Sequence, residues 1–209
     1  MKNYRRFYYD FFSRFYDKFV AMHSGDTPSI VRRYLAEKAP AGEGERVLDI
    51  CTGTGSLLPH LGRKVGPTGS VVGLDFSRGM LAVNRRKTQE IANIRLVAAD
   101  AASLPFTQNS FDAVTCSHAF YELKGENQER VLREILRVLK PGKTFLMMEH
   151  ELPENPLTRA LFYIRMTSMG ARRALSILKY ERATLERYFS KVEKETSPSG
   201  HSKIMICWK

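Results

Sequence analysis

Between residues 46 and 149, short apolar runs alternate with stretches whose apolar positions recur every three or four residues, the pattern of a parallel sheet covered by helices. Arg46–Ile50, Ser70–Asp75, Ile94–Ala98, Ala113–Ser117 and Thr144–Glu149 are predicted strands. Leu57–Val65, Gly79–Ile91 and Asn127–Leu139 are predicted helices, the last with Val131, Leu132, Ile135, Leu136 and Leu139 at helical spacing. Lys140-Pro141-Gly142 is expected to stop that helix. Beyond Glu149 the pattern changes: Pro153 and Pro156 interrupt the chain, and residues 155–190 read as a helical insertion rich in Arg and Lys. Val192–Thr196 and Lys203–Trp208 alternate as a closing hairpin should. Residues 1–24 form a separate element, because Tyr4, Tyr8, Phe11, Phe15 and Phe19 fall at helical spacing among Arg5, Arg6, Arg14 and Lys18. They predict an aromatic amphipathic helix ahead of one domain over residues 25–209.

Composition narrows this picture only in part. The 209 residues, 43% hydrophobic and 26% charged, suffice for one α/β core without disulfide or metal staples. No stretch approaches the roughly 18 uninterrupted apolar residues of a membrane span. Arg5, Arg6, Asp10, Arg14 and Asp17 break up the N-terminal aromatic run, so a secretory signal is not expected and the cytoplasm is the expected compartment. Cys51, Cys116 and Cys207 share no short spacing, which suggests buried thiols rather than a zinc site, and no metal is expected. The formal charge of +11 calls for a polyanionic partner, either nucleic acid or an anionic lipid surface.

Candidate chemistry begins at Asp49-Ile50-Cys51-Thr52-Gly53-Thr54-Gly55, a strand ending in an acid, then a glycine loop, then an apolar helix. Gly53 and Gly55 let backbone approach a ligand closely, and the helix that follows offers free N–H groups. A dinucleotide fingerprint needs a small residue three positions after its second glycine, where this chain has Leu58. Asp49 is placed to receive an amino group, where a pyrophosphate would be repelled. Asp75 ends the second strand about 20 positions beyond Gly55, where an acid can accept from both ribose hydroxyls. Asp100 ends the third and can accept from an adenine amino group, with Phe76 and Met80 placed to cover the adenine face. Any one of these acids alone reads as an ordinary strand-end or capping residue, and Phe76 and Met80 alone read as core. Their joint spacing with the glycine loop outlines an S-adenosylmethionine site.

The ordered segments Val47-Leu48-Asp49 through Gly55, Val72-Gly73-Leu74-Asp75-Phe76-Ser77 with Met80-Leu81, Asp100 with Leu104-Pro105-Phe106 and Asn109-Ser110-Phe111-Asp112, and Leu132-Arg133-Glu134 with Arg137 to Gly142 resemble class I S-adenosylmethionine-dependent methyltransferases. Within that class they most resemble the ubiquinone/menaquinone biosynthesis C-methyltransferases, over roughly residues 12 to 150. The resemblance implies an α/β, Rossmann-like, doubly wound, mostly parallel seven-stranded sheet with an antiparallel last strand. It also implies that Asp49, Cys51, Gly53, Gly55, Asp75, Asp100 and Ala101 line the cofactor site, that Ser117 lies beside the methyl donor, and that Tyr16 closes over the cofactor. After the fourth strand those enzymes resemble Gly-Leu-Arg-Asn, whereas this chain has Ala119-Phe120-Tyr121-Glu122 preceded by His118.

Methyl transfer from a sulfonium needs alignment and exclusion of water, and a carbon or oxygen acceptor gains from a base. His118, Tyr121, Glu122, Glu149 and His150 are the positional candidates, of which His118 and Tyr121 are favoured, against the plain alternative that either merely packs beside a strand. The aromatic N-terminal helix and the insertion around Arg159, Arg165, Arg172, Arg173 and Lys179 fit a peripheral protein on anionic lipid that takes a small or lipophilic acceptor, a quinol-like ring or a lipid headgroup. The aromatic helix would serve equally as a lid on the domain. An RNA methyltransferase is the rival that uses the positive charge, but Ser117-His118-Ala119-Phe120 stands where amino-methylating nucleic-acid enzymes resemble Asn/Asp-Pro-Pro-aromatic. A non-catalytic protein that has kept the fold and binds an S-adenosyl ligand is the other rival, S-adenosylhomocysteine being the product expected of an enzyme. Oligomeric state is not legible in the sequence.

Overall fold

A computed structural model describes residues 9, 10, 13, 30–123, 125–168, 180–198 and 200–209. Most of the predicted N-terminal helix, Tyr16, and Arg172, Arg173 and Lys179 of the basic insertion lie outside the described residues. In chain order the elements are α1 (Ile30–Lys38), β1 (Arg46–Ile50), α2 (Leu58–Val65), β2 (Ser70–Asp75), α3 (Arg78–Thr88), β3 (Ile94–Ala98), β4 (Phe111–Ser117), a 3-10 turn (Phe120–Glu122), α4 (Glu126–Val138), β5 (Leu139–His150), α5 (Pro156–Ser168), β6 (Lys191–Thr196) and β7 (Ser202–Trp208).

The strands form one sheet in the order β3-β2-β1-β4-β5-β7-β6. β1 pairs in parallel with β2 and β4, β2 with β3, and β4 with β5, while β7 runs antiparallel to both β5 and β6. The central strands are apolar on both faces because helices cover both. Val47, Val71 and Ala113 pack with Leu35, Leu58 and Leu61 of α1 and α2, whereas Leu48, Val72 and Val114 pack with Val131, Leu132 and Ile135 of α4. Strand order reverses between β1 and β4, which opens a crevice at their carboxyl ends.

At the junction of α4 and β5 the boundaries differ from expectation because a distant strand captures the end of the helix. α4 ends at Val138, and Leu139 already pairs with Phe111, before a register shift that sets Thr144 opposite Ala113. Lys140-Pro141-Gly142 therefore stands inside an irregular β5, and the Lys140 ammonium meets Asp112 Oδ1 at 2.8 Å. The residues shared with the methyltransferase pattern in α4 also have a structural task. Arg137 donates to the carbonyls of Leu104 and Phe106, and Glu134 accepts from Leu104 N–H at 2.6 Å, so α4 clamps the loop that follows β3.

Leu58 explains how α2 approaches the sheet without a small residue of its own. Its side chain is fully buried over Gly73 of β2, where a Cβ would come within 2.7 Å of Leu58 Cδ1. The space that a dinucleotide fold leaves on the helix is left here on the neighbouring strand.

Candidate functional site

A cavity of about 460 Å³ opens at the switch-point crevice, within the usual range for small-molecule sites. It brings together Cys51, Gly53, Asp75, Phe76, Met80, Asp100, Ala101, Ser117 and His118 of the sequence-predicted set. Asp49, beneath the loop, and Gly55, at its end, do not line the cavity. Tyr121 does not line it either; its ring stands 6.0 Å from that of His150. Tyr9, Arg78, Glu122 and Asn127 line the cavity and were not among the favoured site residues.

The glycine loop is held from below. Gly55 has φ of 80°, a left-handed conformation that a side chain disfavours, and a Cβ there would fall 2.1 Å from Asn84 Oδ1. Asn84, fully buried on α3, donates from Nδ2 to the Gly53 carbonyl at 3.3 Å. Nothing in its sequence context singles it out, since a polar residue on a helix ordinarily faces water. A Cβ on Gly53 would meet nothing within 4 Å, so that backbone is open to the cavity.

Two acids flank the loop in different settings. Asp49 is 1% exposed and accepts from the Thr115 hydroxyl at 2.7 Å. Burial pushes its carboxyl up to about 6, although the hydroxyls of Thr52 and Thr115 pull it back. Asp75 accepts from Gly53 N–H and Ser77 N–H, each at 2.9 Å. Burial raises it to about 6 as well, against the pull of those backbone N–H groups. Each carboxylate oxygen has a second lone pair, so Asp75 can fix the loop and still accept from a diol. Asp100 folds its own loop, taking Ala102 N–H on Oδ1 at 3.0 Å.

On the other wall, β4 ends in a strained turn. His118 has φ of 51°, uncommon for a residue with a side chain, and its N–H donates to the Met148 carbonyl at 2.8 Å. Its ring lies 4.7 Å from that of His150, and burial, then the neighbouring His150 and Arg32, holds its pKa well below the ordinary imidazole value. It is neutral at pH 7. Ser117 Oγ and His118 Nδ1 are buried without a hydrogen-bond partner among the described residues. Such groups call for a polar ligand.

Behind that turn, Glu149 Oε1 accepts from Phe120 N–H at 2.7 Å and Tyr121 N–H at 3.4 Å. Burial, then Glu181, drives its pKa well above the carboxylate range. Glu181 pairs with Lys203 of β7, both nearly inaccessible, and burial sets the Glu181 carboxyl at about 7. Glu149 thus anchors the 3-10 turn rather than facing the cavity. Among the described residues no group of three His, Cys, Asp or Glu is placed to hold a metal ion.

Asp75 and Asp100 at strand ends, an open glycine backbone and an apolar wall of Phe76 and Met80 line this cavity, with Asp49 buried outside its lining. Comparisons with known proteins identify the family. A demethylmenaquinone methyltransferase of Staphylococcus aureus is 35% identical over 150 residues, 72% of this chain and 61% of that protein. The chain thus matches about three fifths of the length of such relatives. A solved S-adenosylmethionine-dependent methyltransferase of Aquifex aeolicus superposes with a TM-score of 0.63 at 18% identity, covering 88% of this chain and 95% of that one. The [4+2]-cyclase SpnF superposes with a TM-score of 0.54 at 19% identity, covering 85% and 79%, so the shared fold does not by itself fix the reaction. The model of the ubiE/COQ5 methyltransferase family matches residues 6–181, and the chain belongs to that family.

Proposed function

We propose that this protein transfers a methyl group from S-adenosylmethionine to the ring of a lipophilic quinol, at the surface of an anionic membrane. The observation that carries the reading is that one cavity joins Asp75 and Asp100 to Ser117 and His118, whose Oγ and Nδ1 have no partner among the described residues. The first pair suits ribose and adenine, and the second leaves polar atoms where an acceptor would stand. The named activity of the Staphylococcus aureus relatives supports a quinol ring.

S-adenosylmethionine supplies an electrophilic methyl carbon on a sulfonium. Asp49, beneath the loop, supplies negative charge toward the ammonium of the methionyl part, and Asp75 accepts from the ribose hydroxyls. Asp100, Ala101, Phe76 and Met80 hold the adenine end. The neutral His118 would take the acceptor's hydroxyl proton on Nδ1 as the ring carbon bonds to the methyl carbon and the carbon–sulfur bond breaks, after which the hydrogen left on that ring carbon departs as a proton and the oxygen is reprotonated, restoring the aromatic hydroxyl. Apolar Leu74, Ala119 and Leu123 keep water from the line of attack. Tyr121 backs His150 and thereby the His118 ring.

The membrane part of the reading rests on α5. Leu157, Leu161 and Ile164 are 71, 58 and 66% exposed on one helical face, beside the chain's net charge of +11. No described helix is long and apolar enough to cross a membrane.

Isotopically labelled S-adenosylmethionine incubated with a reduced, prenylated naphthohydroquinone should yield a singly methylated ring by mass spectrometry. Label appearing instead in phosphatidylethanolamine would move the acceptor to a lipid amine. Absence of S-adenosylhomocysteine binding by calorimetry would remove the enzyme reading altogether.

A further inference from the structure

The N-terminal segment touches the cavity at residues that neither the glycine-loop motif nor the strand-end acids point to. Tyr9 lines the cavity, stacks edge-on against Phe76 with ring centroids 5.7 Å apart, and donates its hydroxyl to Glu122 Oε2. One side chain therefore bridges the end of β2, on the cofactor wall, to the 3-10 turn on the acceptor wall. Asp10, next in sequence, is bound to the entrance of α3: its Oδ1 accepts from Ser77 Oγ at 2.6 Å and from Gly79 N–H at 2.8 Å. A carboxylate there also meets the positive end of the helix dipole. Ser13, buried, donates back to the Asp10 carbonyl at 2.8 Å. The fit is close enough to require glycine at position 79, where a Cβ would lie 2.6 Å from Asp10 Cα and 2.7 Å from Asp10 O.

We propose that Tyr9 is a cofactor-covering residue that roofs the S-adenosylmethionine cavity by spanning Phe76 and Glu122, and that Asp10, latched onto Ser77 and Gly79, is the residue that positions it. The inference rests on the cofactor reading above and is independent of the acceptor. It assigns the roof to a position seven residues before Tyr16 in the sequence. It also gives α3 two tasks, since its Asn84 holds the glycine loop while its first turn holds the cover.

Gly79→Ala provides the cleanest test, because it leaves every residue of the cover in place. The added methyl pushes Asp10 off α3, and because alanine favours helix over glycine the domain should stay folded with only a small fall in melting temperature. S-adenosylhomocysteine should then bind roughly tenfold more weakly, as expected for losing one or two charge-assisted hydrogen bonds, chiefly through faster dissociation. Amide exchange over residues 9–13 should rise in the ligand-free protein. Asp10→Ala should reproduce both effects from the other side of the contact. Tyr9→Ala should weaken binding without raising exchange at Gly79, whereas Tyr9→Phe should keep the ring contact and lose only the bridge to Glu122. Wild-type affinity and dissociation rate within twofold in Gly79→Ala, Asp10→Ala and Tyr9→Ala would overturn the proposal and leave the cofactor reading intact. Failure of the wild-type protein to bind S-adenosylhomocysteine would overturn both.

Discussion

From β3 to β1, the carboxyl and amide groups around the cavity are tied to backbone, Asp75 to Gly53 and Ser77, Asp100 to Ala102, and Asn84 to the Gly53 carbonyl, and only the Thr52 hydroxyl of the loop is buried without a partner among the described residues. From β4 to β7, the polar groups are buried with positions left open: Ser117 Oγ, His118 Nδ1 and Glu149 Oε2 have no partner among the described residues, and Glu181 and Lys203 are buried as an ion pair. The first region is a preorganised receptor whose hydrogen bonds hold the loop before ligand arrives. The second stores unsatisfied polarity and a strained His118, which is where chemistry and specificity are expected. The two regions meet at the switch point between β1 and β4.

The contrast can be broken most strongly at Lys203. Lys203→Met leaves Glu181 buried without its cation, and urea unfolding is expected to show a loss of about 3 kcal/mol, the cost of breaking a buried pair. A loss under about 1 kcal/mol would mean that Glu181 simply protonates and that the charge pair does not build the acceptor wall. His118→Ala should lower turnover by about 100-fold, in the range for a lost general base, while S-adenosylhomocysteine affinity stays within about twofold. Equal losses in turnover and cofactor affinity would place His118 in the receptor instead. Gly55→Ala, strained at φ of 80° and in collision with Asn84, should weaken S-adenosylhomocysteine binding by more than about tenfold. Calorimetry that finds no change would show the loop to be less fixed than its hydrogen bonds imply.

Acidity offers a weaker but two-sided probe. Asp49 and Asp75 titrate at about 6 and Glu181 at about 7, all above their ordinary values. A raised folded pKa means these groups bind protons more tightly when folded, so their contribution to stability is full below their ordinary values near 4 and is lost progressively as pH rises to the folded values of about 6 and about 7. Thermal unfolding of the ligand-free protein should therefore show these groups stabilising it as pH falls from 7.5 toward 5. Cofactor binding needs the two aspartates ionised, so S-adenosylhomocysteine affinity should fall over the same interval, by roughly tenfold per unit for each carboxylate well below its pKa. Parallel pH trends for stability and affinity would contradict this account. The smallest effect is expected at the outer surface, where Leu157→Ser with Leu161→Ser should reduce flotation with anionic vesicles severalfold, leaving S-adenosylhomocysteine binding unchanged. Undiminished flotation would take the membrane role away from α5.

The cofactor side was legible because its chemistry is local. Asp49, Gly53 and Gly55 lie in one loop, Asp75 and Asp100 each end a strand, and parallel pairing brings strand ends to one edge whatever the intervening helices do. The helix-stop reading at Lys140-Pro141-Gly142 missed a strand start because the pairing of Leu139 with Phe111 is a non-local event. Tyr9, Asp10, Asn84 and the Glu181–Lys203 pair carried no pattern for the same reason.

The sequence by itself determined the order of strands and helices and set Asp49, Asp75 and Asp100 at or beside strand ends, because hydrophobic period and strand-end position are properties of short segments. Only the tertiary structure decided that Asp49 lies under the loop instead of on the cavity wall, that Glu149 faces inward to anchor a turn, that Tyr121 stands behind His150, and that Tyr9 spans the opening. Each of those outcomes depends on which distant side chain fills the neighbouring space, and packing settles that only after the sheet has formed.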